Sequence, residues 1–249
     1  SKNNFLQGKT PDERMGYFNK SYANNKKYLI KFYQEYQTVT ILSFKKVKTE
    51  IEFIFEIIGR IRLHKKEVKE KFQIELGDKG IRNICLGSGD THQNGRSVAE
   101  IVLVSGEKFY YKPHQLKIDE QFSKLLSWIE KSMIQAYDFK LPEVISEEEY
   151  GFAECIEHKE CNTVEDVKRF YHRCGELLTI LYALNASDIH YENIIACGEY
   201  PVIIDLETLL HPRLSVKDNA NAKSSQIKAA KEYENSVVTI GMLPTYMKG

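Results

Sequence analysis

The chain has 249 residues, enough to bury a sizeable core in one domain or two lobes, and its 35 basic residues balance 35 acidic ones. Zero formal net charge supplies no field to draw it to nucleic acid or an anionic membrane, and no apolar run is long enough to cross a bilayer. Five cysteines, Cys85, Cys155, Cys161, Cys174 and Cys197, are odd in number and widely spaced. With no signal peptide before Ser1, they point to reduced thiols and a cytoplasmic setting. The missing initiator Met suggests a processed or truncated chain.

Residues 11–72 carry Ile, Phe and Leu at helix-like intervals, as in "TEIEFIFEIIGRIRLHKKEVKEKF", and read as packing helices. The character changes at 81–112, where "IRNICL", "VAEIVLV" and "KFYYK" read as three strands. Between the first two lies "GSGDTHQNGRS", a turn of glycines and small polar residues. An amphipathic helix is expected over 117–137, then an extended "LPEVI" and a strand "YGFAECIE". A helix follows from Thr163 to Leu184, with Thr163 as N-cap and Glu165 and Asp166 in the first turn. Next comes "ALNASDIHYENIIACGEYPVIIDLETLL", in which a polar loop and two carboxylates bracket an apolar strand. Residues 213–232 are polar and read as a mobile loop with a short helix. Cys155, His158, Cys161, His172 and Cys174 are zinc-ligand types, but Cys174 falls inside a helical pattern where a small thiol packs well, and packing is the preferred reading.

The order of strand, small-residue turn, strand, strand ending in Lys, helix, strand, helix, polar loop and strand ending in Asp is protein-kinase-like. Backbone N–H groups at Gly87 and Gly89 can approach phosphates, and Lys112 can meet them as a point charge. Glu120 on the following helix is a candidate to hold that lysine. Asp188 and Asn193 stand five apart, the spacing of a kinase catalytic loop, where the Asp orients or deprotonates an acceptor hydroxyl and the Asn helps hold Mg²⁺. Asp205 ends the next strand, where a kinase chelates Mg²⁺, and Glu207 adds a second carboxylate. Neither G-x-G-x-x-G nor H-R-D occurs. The competing reading gives Asp188 and Asn193 to turn chemistry and "VIIDLETLL" to a buried strand entering a capped helix. Taken alone, Lys112 is a surface lysine as readily as a ligand.

The stretches "GSGDTHQNGRSVAEI", "FYYKPHQL", "YGFAECIEHKEC", "RFYHRCGELLTILYALNASDIHYENIIACGEYPVIIDLETLL" and "SVVTIGMLP" resemble the dehydratase domain of class II lanthipeptide synthetases, the LanM family, over about two thirds of the chain. The resemblance implies an α+β, two-lobed protein- or lipid-kinase-like fold with additional N-terminal helices. Its expected parts are a helical segment over 1–76, an N-lobe-like part over 77–156 and a C-lobe-like part over 157–249. It implies ATP and Mg²⁺ as cofactors, phosphorylation of Ser and Thr in a precursor peptide, and elimination of the phosphate to dehydroalanine or dehydrobutyrine, with a leader segment bound away from the chemistry. By motif it assigns catalytic roles to Asp90, His92, Lys112, Asp188 and His190, and metal binding to Asn193, Asp205 and Glu207. Nucleotide contacts fall to Gly87, Gly89, Lys112 and the hinge of Glu154, Cys155 and Ile156. Two departures stand out. His114 replaces the Arg usual after "YKP", and the sequence stops at Gly249, before family residues tied to elimination and before a cyclase domain. The chain is therefore expected to keep the phosphorylation parts, with elimination and a cyclase partner left open. A free-standing kinase and a non-catalytic peptide-binding module are the alternatives.

Overall fold

Period-two alternation in the first strands builds a sheet with one buried face. In the computed structural model, which describes residues 6–77, 80–92, 95–132, 138–210 and 224–244, and only the backbone from Ser88 to His92, five strands pair antiparallel. They are β1 (Ile81–His92), β2 (Arg96–Leu103), β3 (Lys108–Lys112), β4 (Val144–Ser146) and β5 (Gly151–Glu154), in the order β1-β2-β3-β5-β4. Along β2 the inward residues Ser97, Ala99, Ile101 and Leu103 are buried and those between them are not. Phe109, Tyr111 and Phe152 are fully buried, and Phe109 and Tyr111 each meet Phe152 edge-on. Burying such rings stabilises by roughly 1.5–3 kcal/mol each.

The "GSGDTH" segment does not turn. β1 runs on to His92, with a register shift against β2 between Leu86 and Thr91. Gly87 takes φ +84°, the left-handed conformation that lets a bulge form, so its small residues serve a bent strand rather than a loop. Gly151 lies opposite Lys112 in the β3–β5 register. A Cβ there would stand 2.6 Å from the Leu116 side chain and 2.7 Å from the Ile145 carbonyl, so only glycine fits beside the lysine.

The chain divides into two compact units, 1–60 and 61–249. The first is helical. In it α1 (Pro11–Phe18) starts at a capping box of Thr10 and Glu13, a π-helical turn covers Asn19–Ala23, α2 (Lys26–Glu35) is capped by Asn25, and α3 (Gln37–Leu63) begins. Neither α1 nor α2 has a buried residue.

In the second unit, α4 (Lys65–Phe72) precedes the sheet and α5 (Lys117–Ser132) buries Phe122 and Leu126. The α6 helix (Val164–Ala183) starts at the expected Thr163 cap, where Asp166 completes a capping box, and a two-stranded ribbon of β6 (Ile194–Cys197) and β7 (Tyr200–Ile203) follows. Residues 211–223 lie outside the described residues, then come α7 (Ser224–Glu234) and a 3₁₀ turn, Val237–Ile240. A core of Phe122, Leu126, Leu177, Leu181, Ile189, Ile203, Leu206, Leu209 and Ile240 ties α5, α6, the loop before β6 and the 3₁₀ turn together. The expected α+β class holds.

Candidate active site

Three local devices carry the functional side chains. The first ends α6. Asn185 takes φ +53°, its N–H donates to the Tyr182 carbonyl, and that of Ala186 donates to the Leu181 carbonyl. This pair of bonds is a Schellman stop, and an asparagine supplies the left-handed residue it needs. The chain then turns again at Asp188, φ +60°. Asn and Asp tolerate that region better than other side chains, so the polar loop is also the bend that aims it.

The second device braces that loop. The Asn193 side-chain amide donates to the Asp188 carbonyl at 2.8 Å, and the Asn193 N–H donates to the His190 carbonyl at 2.9 Å. The Ile189 N–H donates to the Ile240 carbonyl at 2.7 Å, and both residues sit in the core. Nδ1 of His190 accepts from the Glu192 N–H at 3.2 Å, while Nε2 lies 3.6 Å from Asp188 Oδ1.

The third device brings the sheet to the ribbon. The Lys112 ammonium, nearly buried, donates to the Ile204 carbonyl at 2.7 Å, one residue before Asp205. Asp205 Oδ1 accepts from the Glu207 N–H at 3.1 Å, which folds "DLE" into a tight turn with Leu206 in the core. Glu207 Oε1 in turn meets His114 Nε2 at 2.7 Å.

These devices surround a cleft of about 530 Å³. Lys112, Glu154, Ile156, Asp188, His190, Asn193, Asp205 and Glu207 all line it, as do Val98, Tyr110, Ala153, Glu192 and Thr208, which sequence reading did not single out. Tyr110 was findable from strand alternation, since it lies two residues along β3 from Lys112, whereas Val98 sits on the face of β2 opposite its buried residues. Cys155 lines not this cleft but a second cavity of about 300 Å³, with Lys108, Lys140 and Cys197. Gly87 donates its N–H to Ser97 Oγ at 2.8 Å and does not line the cleft, while only the backbone of Gly89 is described. The side chains of Asp90 and His92 lie outside the described residues.

A family described as "Domain of unknown function (DUF4135)" matches residues 36–249. The chain belongs to this family. It is also 31% identical over 253 residues to the lacticin 481/lactococcin biosynthesis protein LcnDR2 of Lactococcus lactis subsp. lactis. That alignment covers 97% of this chain and 26% of the relative, so the chain spans about a quarter of the relative's length. These findings bear out the kinship with class II lanthipeptide synthetases. Among the described residues no helix is long and apolar enough to cross a membrane.

In this DUF4135 chain the acid facing Lys112 is not Glu120. Glu120 bonds Lys117 at 3.4 Å and stands 4.0 Å from Lys71. Asp119 is the first-turn acid of α5 whose charge is coupled to Lys112, His114 and Asp205. Burial pushes its carboxyl up to about 6, against the pull of Lys112. Burial also draws the His114 imidazole down, but the bond to Glu207 and that carboxylate's charge outweigh it and leave it raised. Burial pushes Tyr110 up to about 12, with the neighbouring Cys155 and Glu100 adding to it.

Proposed function

We propose that the chain phosphorylates Ser and Thr side chains of a lanthipeptide precursor peptide, using ATP and Mg²⁺ in the cytoplasm, as the phosphorylating part of a dehydratase. The observation that carries this reading is the meeting of Lys112 with the carbonyl beside Asp205, in one cleft with Asp188 and Asn193. The relative's printed role in lacticin 481 biosynthesis supports the peptide substrate.

The residues present fit a nucleotide and a divalent cation. Val98, Ala153, Ile156, Ile195 and Ile204 give part of the cleft an apolar lining suited to a base, with the hinge backbone alongside. Lys112 is a cation for phosphate oxygens. Its bond to Ile204 keeps it near Asp205 before any ligand arrives, so little reorganisation is needed. Asp205 and the Asn193 amide oxygen would hold Mg²⁺, which prefers few protein ligands and completes its shell with water and phosphate. Held there, the cation would supply charge neutralisation for the phosphate oxygens.

Asp188 takes the acceptor's side. It would accept a hydrogen bond from the Ser or Thr hydroxyl, orient the oxygen, and take its proton as that oxygen bonds the γ-phosphorus, the bond from that phosphorus to the β–γ bridging oxygen breaks and ADP departs. The left-handed turn and the Asn193 bond fix that loop, so the carboxylate is positioned in advance. His190 lies beside Asp188 and, accepting at Nδ1 from Glu192, would carry its proton on Nε2. Glu207 would be a second carboxylate near the cation, with His114 turned to it. For elimination a base must remove the Cα proton while donors stabilise the departing phosphate. Asp90 and His92 would stand near the γ-phosphate or the phosphorylated residue, and Lys112 and His190 would assist at either step.

Incubation with Mg-ATP and a Ser/Thr-containing precursor peptide, read by mass, tests the reading. Gain of phosphate supports the kinase step, and loss of water supports the complete dehydratase. No mass change would overturn the proposal in favour of a binding module. Asp188→Ala should keep nucleotide affinity by calorimetry and lose about a hundredfold or more in turnover, because its contact matters in the transition state. Lys112→Ala should lose both, since its charge meets phosphates in the ground state as well.

A further inference from the structure

The α3 helix carries an apolar stripe that stays exposed. Ile41, Phe44, Val47, Ile51 and Phe55 recur at three- and four-residue steps and are each between 49% and 74% exposed. At about 100° per residue they fall within about 60° of one line along the helix. The buried Phe53, Ile57 and Ile61 lie on the opposite side. The helix is thus apolar on two faces, of which one belongs to the core and one meets solvent. Gln37 and Arg62, both exposed, fall on the same line at its two ends, so the stripe is finite. No residue of it lines the cleft. A large exposed apolar patch with a polar border marks an interaction surface.

The charges beside the stripe run in order. Lys45 and Lys48 border one edge in the first half of α3, and Glu52 and Glu56 border the same edge in the second half. Turning the helix end for end exchanges the two halves. An antiparallel second copy, related by a two-fold axis near Glu50, would therefore set Lys48 beside the partner's Glu52 and Lys45 beside the partner's Glu56. The same axis sets Phe44 beside the partner's Phe55. A parallel copy would set lysine against lysine and glutamate against glutamate. Within one helix Lys48 stands 3.8 Å from Glu52, both largely exposed, and Glu56 pairs with Arg60. The exposed Lys48–Glu52 pair contributes little, so exchanging it for the partner's costs little. Burial of the apolar side chains drives the contact, and the charges choose its direction. With acids and bases equal in number along the edge, an anionic membrane gains no attraction.

We propose that the exposed face of α3 pairs antiparallel with the same face of a second copy of the chain, forming a two-fold symmetric dimer. Each surface meets its own image, so the contact closes after two chains and does not propagate. Phe44, Val47, Ile51 and Phe55 would interlock with their counterparts as knobs into holes, as apolar residues spaced three and four apart do along a helix pair. The inference is independent of the chemistry assigned to the cleft, since the stripe and the cleft share no residue.

Sedimentation velocity of the full chain over a range of concentrations tests the association. The mass should rise from one chain, 28.9 kDa, towards two and stop there. Phe44→Ser/Phe55→Ser should weaken the dimer at least about tenfold, and circular dichroism should show its helices unchanged because both rings face solvent. Lys45→Glu/Lys48→Glu and Glu52→Lys/Glu56→Lys should each weaken self-association at least about tenfold, and an equimolar mixture of the two should recover it. Direction is read by carbodiimide coupling, which joins a lysine directly to a carboxylate. Lys45 and Glu56 lie eleven residues apart in α3, about 16 Å along the helix, too far to couple within one chain. An amide between them, found by mass in the coupled dimer, is the product expected of antiparallel copies. A monomer at every concentration, growth beyond two chains, a dimer that tolerates Phe44→Ser/Phe55→Ser, no recovery in the mixture, or a dimer lacking that amide would each overturn the proposal.

Discussion

Burial pushes the Asp119 carboxyl up to about 6, although Lys112 draws it down. The folded chain therefore holds a proton there at pH values where an unfolded aspartate, near 3.9, has lost it. Stability from this group is fully present below the unfolded value and is lost as pH rises through the folded one. A gap of that size corresponds to roughly 2–3 kcal/mol at neutral pH. Asp119→Asn mimics the protonated acid at every pH. The variant should melt at the wild-type temperature near pH 3.5 and progressively above it between pH 4 and pH 7, in the nucleotide-free chain followed by circular dichroism. A constant difference across that range would mean that Asp119 does not titrate as its surroundings require. From sequence Glu120 is a candidate partner for Lys112, as an acid in the first turn of the next helix, a position it shares with Asp119. One residue along a helix rotates a side chain by about 100°, and which acid faces the lysine depends on where α5 starts and how Leu116 anchors it.

At the scale of elements, the antiparallel ribbon of β6 and β7 carries Asn193 and Asp205 just outside its open end, where the Ile204 N–H donates to the Asn193 carbonyl, so whatever holds the ribbon also positions both. Arg173 on α6 does so from beneath. It is almost completely buried, donates to the Asp138 carbonyl and carboxylate and to the Glu199 carbonyl and carboxylate, and lies over the Tyr200 ring at 4.2 Å. Its acceptors, the largely exposed Asp138 and the partly exposed Glu199, can turn to water when it is lost, so Arg173→Met should lower the urea midpoint through lost packing over Tyr200 and lost bonds to the two carbonyls. At the other side of the site, Gly241 takes φ +90° and an added Cβ would stand 3.3 Å from the Ile189 N–H. Gly241→Ala should therefore shift the Asp188 loop and reduce phosphate transfer more than it reduces nucleotide affinity, read by the same calorimetry and mass measurements. Strongly periodic elements such as α6, and strands of alternating residues, were legible in the sequence because their signal is local. The long arm of β1 was not, since "GSGDTH" has the composition of a turn and only its partner strand makes it a bulged strand. Arg173 was illegible for a related reason, because its partners lie 26 and 35 residues away and no local pattern marks them.

Across the whole molecule, the cleft is where the five-stranded sheet meets the ribbon and the loop after α6. Lys112, Asp188, Asn193 and Asp205, chosen from spacing alone, line that one space because each sits at the end of a regular element whose length the sequence fixes. In the chain alone the bond from Lys112 to the Ile204 carbonyl is a polar link across it. A bound nucleotide with its cation would add several more, from the hinge on one side to Asp205 and Asn193 on the other. Ligand that binds only the folded state stabilises by about 2.7 kcal/mol at a hundred times its dissociation constant. For a domain of this size each kcal/mol moves the melting temperature by about 2–4 °C, so saturating Mg-ATP should raise it by roughly 5–10 °C. EDTA should remove most of that rise, because without the cation the phosphates face Asp205 as like charges. Asp205→Asn should melt near the wild-type temperature without ligand and gain little from Mg-ATP, since its carboxylate supports ligand and not core. Asp188→Ala should keep most of the rise. If ATP raised the melting temperature equally with and without Mg²⁺, or if Asp205→Asn kept the full rise, the cation would not be held at the end of β7 and the assignment of Asp205 would fail.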